Sequence, residues 1–255
     1  LMDGHYGHGE LWGLDTHPFK SIFVTCSDDA TVRSFDADSR KQVGANKLSG
    51  RGRCAAFAPD GEHVAIGLSS GAVEVWDDEL ENRMKLWQHS REEISCVRYS
   101  PDGLSLAVGS RDNYIYIYNV GAETYTKKAV CKGHSSFVTH LDWSVDSQML
   151  QTVDGSHERL TWDGNKGGKV FGDQARAARW HSYTCIRGKT VAGIWPPGAD
   201  GTDVNEVCRS RGGWLVATCD DFGKVNTFKY PCFDLADDDS SDDDDDRRIS
   251  KKVYS

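Results

Sequence analysis

Three segments of this chain align without a gap: FAPDGEHVAIG at 57–67, YSPDGLSLAVG at 99–109 and WSVDSQMLQTV at 143–153. A fourth, THPFKSIFVTC at 16–26, fits one step earlier, with Pro18 in register with Pro59 and Pro101. A self-similar period of about 42 residues constrains the fold more than any other feature, because it demands a row of like supersecondary units. Each unit alternates short β-rich runs with turn clusters: CAAF, HVAIG and AVEVW are separated by PDG and SSG, and ISCVRY, LSLAVG and YIYIY repeat the pattern. A β-sandwich has similar strand spacing, but a regular period carrying the same turn chemistry argues against it. The period matches one propeller blade. The expectation is an all-β chain with blades near 8–48, 52–88, 93–131, 134–171 and 181–232.

The unit ends agree. Gly7-His8 is followed by Phe35-Asp36, Gly133-His134 by Trp162-Asp163, and Trp76-Asp77 closes the second unit. This is the GH…WD pattern of WD40 blades. Its physical content is a relay in which a His bonds an Asp in a tight turn, and a hydroxyl and the Trp indole N–H complete the chain; buried polar groups demand such pairing. His8, Asp29, Asp112, His134 and Trp162 are its expected members. Ser70 and Ser156 take the turn-Asp place in the second and fourth units, which predicts degenerate relays there. Phe35 lacks the indole donor.

Regularity fails after about residue 165. The next matching unit, CRSRGGWLVATCDDFGKVNTF at 208–228, arrives late. The intervening HSYTCIRGKTVAGIW (181–195) reads as two strands and PPGADGTD (196–203) as a turn-rich insertion, so the fifth unit is expected to be enlarged and atypical.

The order of segments narrows the match. GHGELWGLDTHP (7–18), YSPDGLSLAVGSRDNYIYIYNV (99–120), GHSSFVTHLDWS (133–144), GIWPPGADGTDVNEVCRS (193–210) and DDFGKVNTFKYPC (220–232) together resemble the second propeller of the echinoderm microtubule-associated protein-like family. The resemblance covers residues 5–233, and the GADGTDVN and YPC segments make it specific. It implies a non-enzymatic cytoskeletal module in the cytoplasm that binds tubulin or microtubules through propeller loops; the alternative is a general scaffold without tubulin contact. Members of that family continue past YPC with a further GH-initiated repeat, so the resemblance also implies an incomplete ring.

Charge is distributed unevenly. The net charge is −9, yet nine aspartates fall within 234–246 and four bases within 247–255. The remaining body is nearly balanced, which gives no nucleic-acid footprint. No window approaches the roughly 20 apolar residues of a membrane span. The tail 234–255 is too polar and too like-charged to fold, so disorder is expected. Within it, Ser240 and Ser241 suit acidophilic kinases and Ser250, behind Arg247 and Arg248, a basophilic one.

No GxSxG, HExxH, Walker loop or strand-linked GxGxxG is present, which argues against an enzyme. No cofactor or metal is expected: His5 with His8 lacks a third ligand, and Asp200 to Asp203 lacks a full calcium series. The eight cysteines form no CxxC pair and sit mostly in apolar runs, the pattern of free buried thiols.

Binding is therefore sought at the loops. Those joining consecutive blades and those between the second and third strands share one face of a propeller. They carry Arg91, Glu92, Arg111, Asn113, Ser135, Ser136, Phe137, Asp221 and Phe222. Arg51, Arg53, Arg209 and Arg211 are further candidates for a basic patch that an acidic partner would need. Phe137 divides between exposure and burial between blades, while burial is preferred for Phe222. Trp12 and Trp195 are expected between blades, and Trp87 is the candidate exposed indole.

Overall fold

The computed structural model describes residues 5, 9–121, 124–195 and 203–233. The chain divides into two compact units, Leu1–Arg179 and Trp180–Ser255. The fold is all-β, of the propeller class, and the described residues form five antiparallel blades, four in the first unit and one in the second.

The first blade is β1 (Leu11–Thr16), β2 (Ile22–Ser27), β3 (Thr31–Asp36) and β4 (Lys41–Lys47). The second is β5 (Gly52–Phe57), β6 (His63–Leu68), β7 (Ala72–Asp77) and β8 (Arg83–Gln88). The third is β9 (Ile94–Tyr99), β10 (Ser105–Ser110), β11 (Tyr114–Val120) and β12 (Tyr125–Lys132). The fourth has three strands, β13 (Val138–Trp143), β14 (Met149–Asp154) and β15 (Arg159–Asp163), extended by a single antiparallel bridge from Trp162 to Lys169. In the second unit, β16 (Val204–Arg209), β17 (Leu215–Asp220) and β18 (Val225–Lys229) form the fifth. Strand order in every blade follows the chain.

The repeated turn explains the alignment. Gly61 and Gly103 adopt φ of 78° and 73°, and their N–H groups reach back to Ala58 and Ser100 at 2.9 Å. Pro at the second turn position and Gly at the fourth suit this β-turn. Ser147 closes the same turn in the fourth blade with φ of 60°. In the first blade a side chain substitutes: His17 Nδ1 accepts the N–H groups of Phe19 and Lys20, both at 3.0 Å.

Blades of the first unit join through their first strands, as β1, β5, β9 and β13 pack in succession. Asp15 Oδ2 accepts the Phe57 N–H at 2.7 Å, Arg98 donates to the Ala55 carbonyl at 3.3 Å, and the Trp143 indole donates to the Arg98 carbonyl at 3.1 Å. Apolar seams lie around these ties. Val24, Cys26, Phe57, Ile66 and Leu68 fill the first seam, Val75, Ile94, Val97 and Leu106 the second, and Ile115, Val138, Leu141 and Trp162 the third. Burying each such side chain contributes about 1.5–3 kcal/mol.

Glycines shape the seams. A Cβ on Gly67 would meet Ile94 Cγ2 at 2.5 Å, and one on Gly109 would meet Val138 Cγ1 at 2.8 Å. At the first seam the volumes are exchanged: Cys26 stands in the place of the glycine, and the facing position is Gly52, whose Cβ would meet Cys26 Cβ at 2.5 Å. Each seam pairs one empty position with one filled one.

The segment 181–195 forms no strands. Residues Lys189–Ile194 make a 3-10 helix, and Val191 and Ile194, three apart, are its buried residues. That spacing is the 3-10 period, and it overturns the two-strand expectation. A short helix, α1 (Gly172–Ala177), follows the fourth blade. Among the described residues no helix is long and apolar enough to cross a membrane.

Candidate interaction surface

The turns between second and third strands place the relay groups. Ala30, Gly71, Asn113, His157 and Gly223 all have positive φ, between 56° and 83°, at equivalent points of these turns. This left-handed residue reverses the chain, and the polar side chains just before it tie the turn to its blade.

In the first blade, His5 rather than the expected His8 meets Asp29. His5 Nδ1 lies 2.9 Å from Asp29 Oδ2 and Nε2 lies 2.8 Å from Thr25 Oγ1. His8 lies outside the described residues. Burial pushes the Asp29 carboxyl up, but donors from Thr31, Ser27 and His5 outweigh it and hold the pKa at about 2. Phe35 supplies no indole and stacks on Phe23 at 5.3 Å.

The second blade uses a residue that sequence reasoning missed. Glu74 is fully buried and accepts the Trp76 indole N–H and the Ser49 N–H, both at 2.8 Å. Leu48 stands where the fourth blade has His134. The available signal was an acid inside the otherwise apolar run AVEVW. In the third blade Asp112 accepts the Tyr116 hydroxyl at 2.7 Å, and the hydroxyls of Ser90 and Ser110 meet at 2.8 Å. Among the described residues no histidine joins Asp112.

The fourth blade holds a full relay with one change of member. Trp162 Nε1 donates to Thr152 Oγ1 at 2.7 Å, and His134 Nε2 lies 2.6 Å from the same oxygen. His134 Nδ1 is 3.2 Å from Asp154 Oδ2, off the line of a well-formed hydrogen bond. Asp154 takes the place expected for Ser156, whose N–H and hydroxyl instead donate to Asp154 Oδ1 at 3.0 and 2.7 Å. Burial lowers the His134 pKa against the pull of Asp154. One proton arrangement satisfies the chain: indole N–H to Thr152, Thr152 hydroxyl to Nε2, and Nδ1–H toward Asp154.

His134, Asp154 and Glu158 lie within reach of a common metal ion. Asp154 Oδ1 already accepts three donors, and Oδ2 accepts the Ser136 N–H at 3.1 Å. That saturation suits a relay and opposes coordination. Asp203 gives its carbonyl to the Asp221 N–H at 3.0 Å, and residues 200–202 lie outside the described residues.

The loop face of the first unit is one connected surface. Arg53 of β5 bonds Asp28 of the first blade, and its Nε donates to Glu93 at 2.6 Å. Glu93 also lies 3.4 Å from Arg111 Nε. The Arg111 guanidinium sits 4.7 Å above the centre of the Phe137 ring. Asp28, Arg53, Glu93, Arg111 and Phe137 thus run from blade to blade. Arg53 brings the Asp28 carboxyl down to about 2, aided by the Glu10 N–H. Trp12 is half exposed, with Arg53 4.9 Å over its ring. Asp28 and Glu93 were not anticipated: Asp28 sits in the β2–β3 turn beside the relay residue Asp29, and Glu93 in the loop just before β9.

Arg91 and Glu92 are exposed, Arg111 is half exposed, and Phe137 is half-buried. Asn113 is the left-handed turn residue, with φ of 71°. Arg53, offered as a patch donor, is only 12% exposed and fully paired. In the second unit, Phe222 is 68% exposed, against the preference for burial. Gly223 takes the left-handed position, and Phe222 stands in the turn just before it, its N–H donating to Asp220 Oδ1 at 3.1 Å. Asp221 accepts the Asn205 side-chain amide at 2.7 Å. Arg211 lies in the β16–β17 turn, at the other end of β17 from Asp221 and Phe222, so it leaves this set. Trp87 is half-buried and stacks on Tyr125 at 5.0 Å, and the Trp195 indole donates to the Ile186 carbonyl at 3.1 Å. Ser240, Ser241 and Ser250 lie outside the described residues.

Residues 11–241 match the family model for the echinoderm microtubule-associated protein second beta-propeller. The chain is 44% identical over 236 residues to human echinoderm microtubule-associated protein-like 3, covering 91% of this chain and 26% of that protein. It is 46% identical over 226 residues to the 77 kDa echinoderm microtubule-associated protein of Strongylocentrotus purpuratus, covering 87% and 33%. With the Xenopus laevis echinoderm microtubule-associated protein-like 4 it shares 43% over 231 residues, covering 89% and 25%. The chain thus spans a quarter to a third of the length of these relatives. Blade order, relay and family match converge: this chain belongs to the echinoderm microtubule-associated protein second beta-propeller family.

Proposed function

We propose that this chain is a non-enzymatic cytoskeletal interaction module that contacts tubulin or microtubules through the loop face of its first unit. The relatives named above are microtubule-associated proteins by name, and the reading takes the cytoskeleton of the cytoplasm as its place of work. No cofactor enters it. The observation that carries it is the Arg111–Phe137 stack, which joins two blades into one presented surface beside the exposed Arg91 and Glu92. A planar cation on an aromatic ring within a rigid scaffold is the kind of anchor interfaces use.

The test is co-elution of the purified chain with unpolymerised tubulin at low and moderate salt. Wild type shifts with tubulin, whereas R91E/R111E and F137A, each shown folded by its melting curve, lose most of the shift. Undiminished binding by both variants would overturn the loop assignment. A scaffold without tubulin contact is the second reading, and a specific observation favours it: Arg53 is spent on Asp28 and Glu93, so the face offers less free positive charge than its arginines suggest.

A further inference from the structure

The positive charge that the loop face lacks lies on the outermost strands. β4 carries Lys41 and Lys47, β8 carries Arg83 and Lys85, and β12 carries Lys127, Lys128 and Lys132. None of these strands contains an Asp or Glu. The inner strands of the same three blades hold four acids, Asp15, Asp36, Glu74 and Asp77, against three arginines. Among the described residues only Arg83 of the outer set reaches a carboxylate, buried Glu74 at 3.4 Å. The lysines form no ion pair there; Lys128 donates to the Ser105 hydroxyl, and Lys132 rests over the Tyr114 ring.

Each outer strand is hydrogen-bonded to its inner neighbour alone within its sheet. The opposite edge therefore carries main-chain donors and acceptors without a strand partner. Lysine on an edge strand guards against sheet-to-sheet pairing. Lysine is the favoured guard, and here the same sign persists through three blades with no acid on any of the three strands. Exposed Val43, Met84 and Leu86 lie among the lysines and supply apolar contact. Among the described residues acids stand near these strands at Asp38 in the β3–β4 turn, at Asp78, Glu79 and Glu81 in the β7–β8 turn, where Asp78 is taken by Lys20, and at Asp60 and Glu62, which share a cleft with Lys85.

We infer that these outer strands form a docking surface for an extended acidic peptide of a partner protein. The peptide lies along an outer edge as an added strand, its main chain bonding the free edge and its carboxylates alternating between lysines. Edge addition draws affinity from main-chain bonds and specificity from alternate side chains, and the ionic part weakens as salt screens exposed charge. This surface is separate from the loop face and does not depend on it.

The experiment measures fluorescence anisotropy of a labelled ten-residue glutamate peptide with the intact chain at low and moderate salt. Wild type binds, and affinity falls with salt. K127E/K132E combined with K41E/K47E weakens binding by about tenfold or more, while R91E/R111E leaves it unchanged. Melting curves establish that the variants are folded, and the milder Lys→Gln set gives a smaller loss in the same order. Absence of binding by wild type, or loss in the loop variant with retention in the rim variant, overturns the inference. Binding that emerges only after Asp242, Asp243, Asp244, Asp245 and Asp246 are replaced by Asn would make the chain's own aspartate run the occupant and overturn the assignment to a partner. Tubulin co-elution of the rim variants is read in parallel, so failure of the loop reading and of this one are distinguishable.

Discussion

Trp162 and His134 meet on a single hydroxyl: the indole nitrogen is 2.7 Å and the imidazole Nε2 2.6 Å from Thr152 Oγ1. Both rings are buried, so neither has water as an alternative partner. Replacing Thr152 by Val keeps the volume and removes the oxygen. The expected cost is about 1–3 kcal/mol for leaving buried polar groups unpaired, read from urea unfolding with an unchanged slope. A cost near zero would mean that the relay contributes nothing to the fourth blade.

Seam volume gives a second prediction. Gly109→Ala places a methyl 2.8 Å from Val138 Cγ1 and 2.5 Å from Cys96 Sγ. Overpacking of this kind costs about 1–3 kcal/mol. Adding Val138→Ala should recover part of the loss, because residues in contact are energetically coupled. A double-mutant cycle on thermal unfolding measures the coupling, and additive losses would reject the pairing of empty and filled positions.

The Arg53 clamp predicts an acid limb. Asp28 has a pKa of about 2 in the fold, against about 3.9 for an unfolded aspartate. A depressed carboxylate contributes stability that is complete above about pH 4 and is lost as pH falls toward 2. Arg53→Gln should lower stability at neutral pH and flatten the decline between pH 4 and 2. Denaturant unfolding across that range checks it, and an unchanged slope in the variant would remove Arg53 as the cause.

Thiol reactivity separates the cysteines. Burial pushes Cys26 and Cys131 up to about 12 and raises Cys54 well above the ordinary value. The reactive species is the thiolate. Cys208 is exposed. Alkylation of the native chain followed by peptide mass spectrometry should mark Cys208 first and leave Cys26, Cys54 and Cys131 unmodified until denaturant is added. Early labelling of Cys54 would mean that the seam opens.

The blade array was legible because FAPDG, YSPDG and WSVDS are one turn in three spellings, and the chain's period needed only that turn. The relay was less legible for a physical reason. Two positions near the left-handed turn residue can send a carboxylate back into the blade: the one just before it, as at Asp29 and Asp112, and one two residues earlier, as at Asp154. Residue counting finds the turn but not which of the two oxygens arrives. Glu74 was hidden because it lies one strand further on, where an acid reads as an exposed edge. Phe222 was misjudged through the same turn: the offset read from DDFG is absent, Gly223 stands where Asn113 stands, and Phe222, exposed, takes the turn place that Asp112 holds in the third blade. Arg211 shows the limit of treating all loops alike, because a turn belongs to one end of its strand or the other.

Gly67 receiving Ile94, Gly109 receiving Val138, and Gly52 receiving Cys26 give each junction its own lock and key. At the second and third junctions the lock is on the earlier blade; at the first it is on the later one. Two neighbouring blades therefore cannot be interchanged, even though their turns and strand lengths are nearly alike. Exchanging the second and third blades would set Cys26 against Ile94 and Gly109 against Gly52, bulge to bulge and hollow to hollow, so the order of these near-identical units is written into the gaps between them.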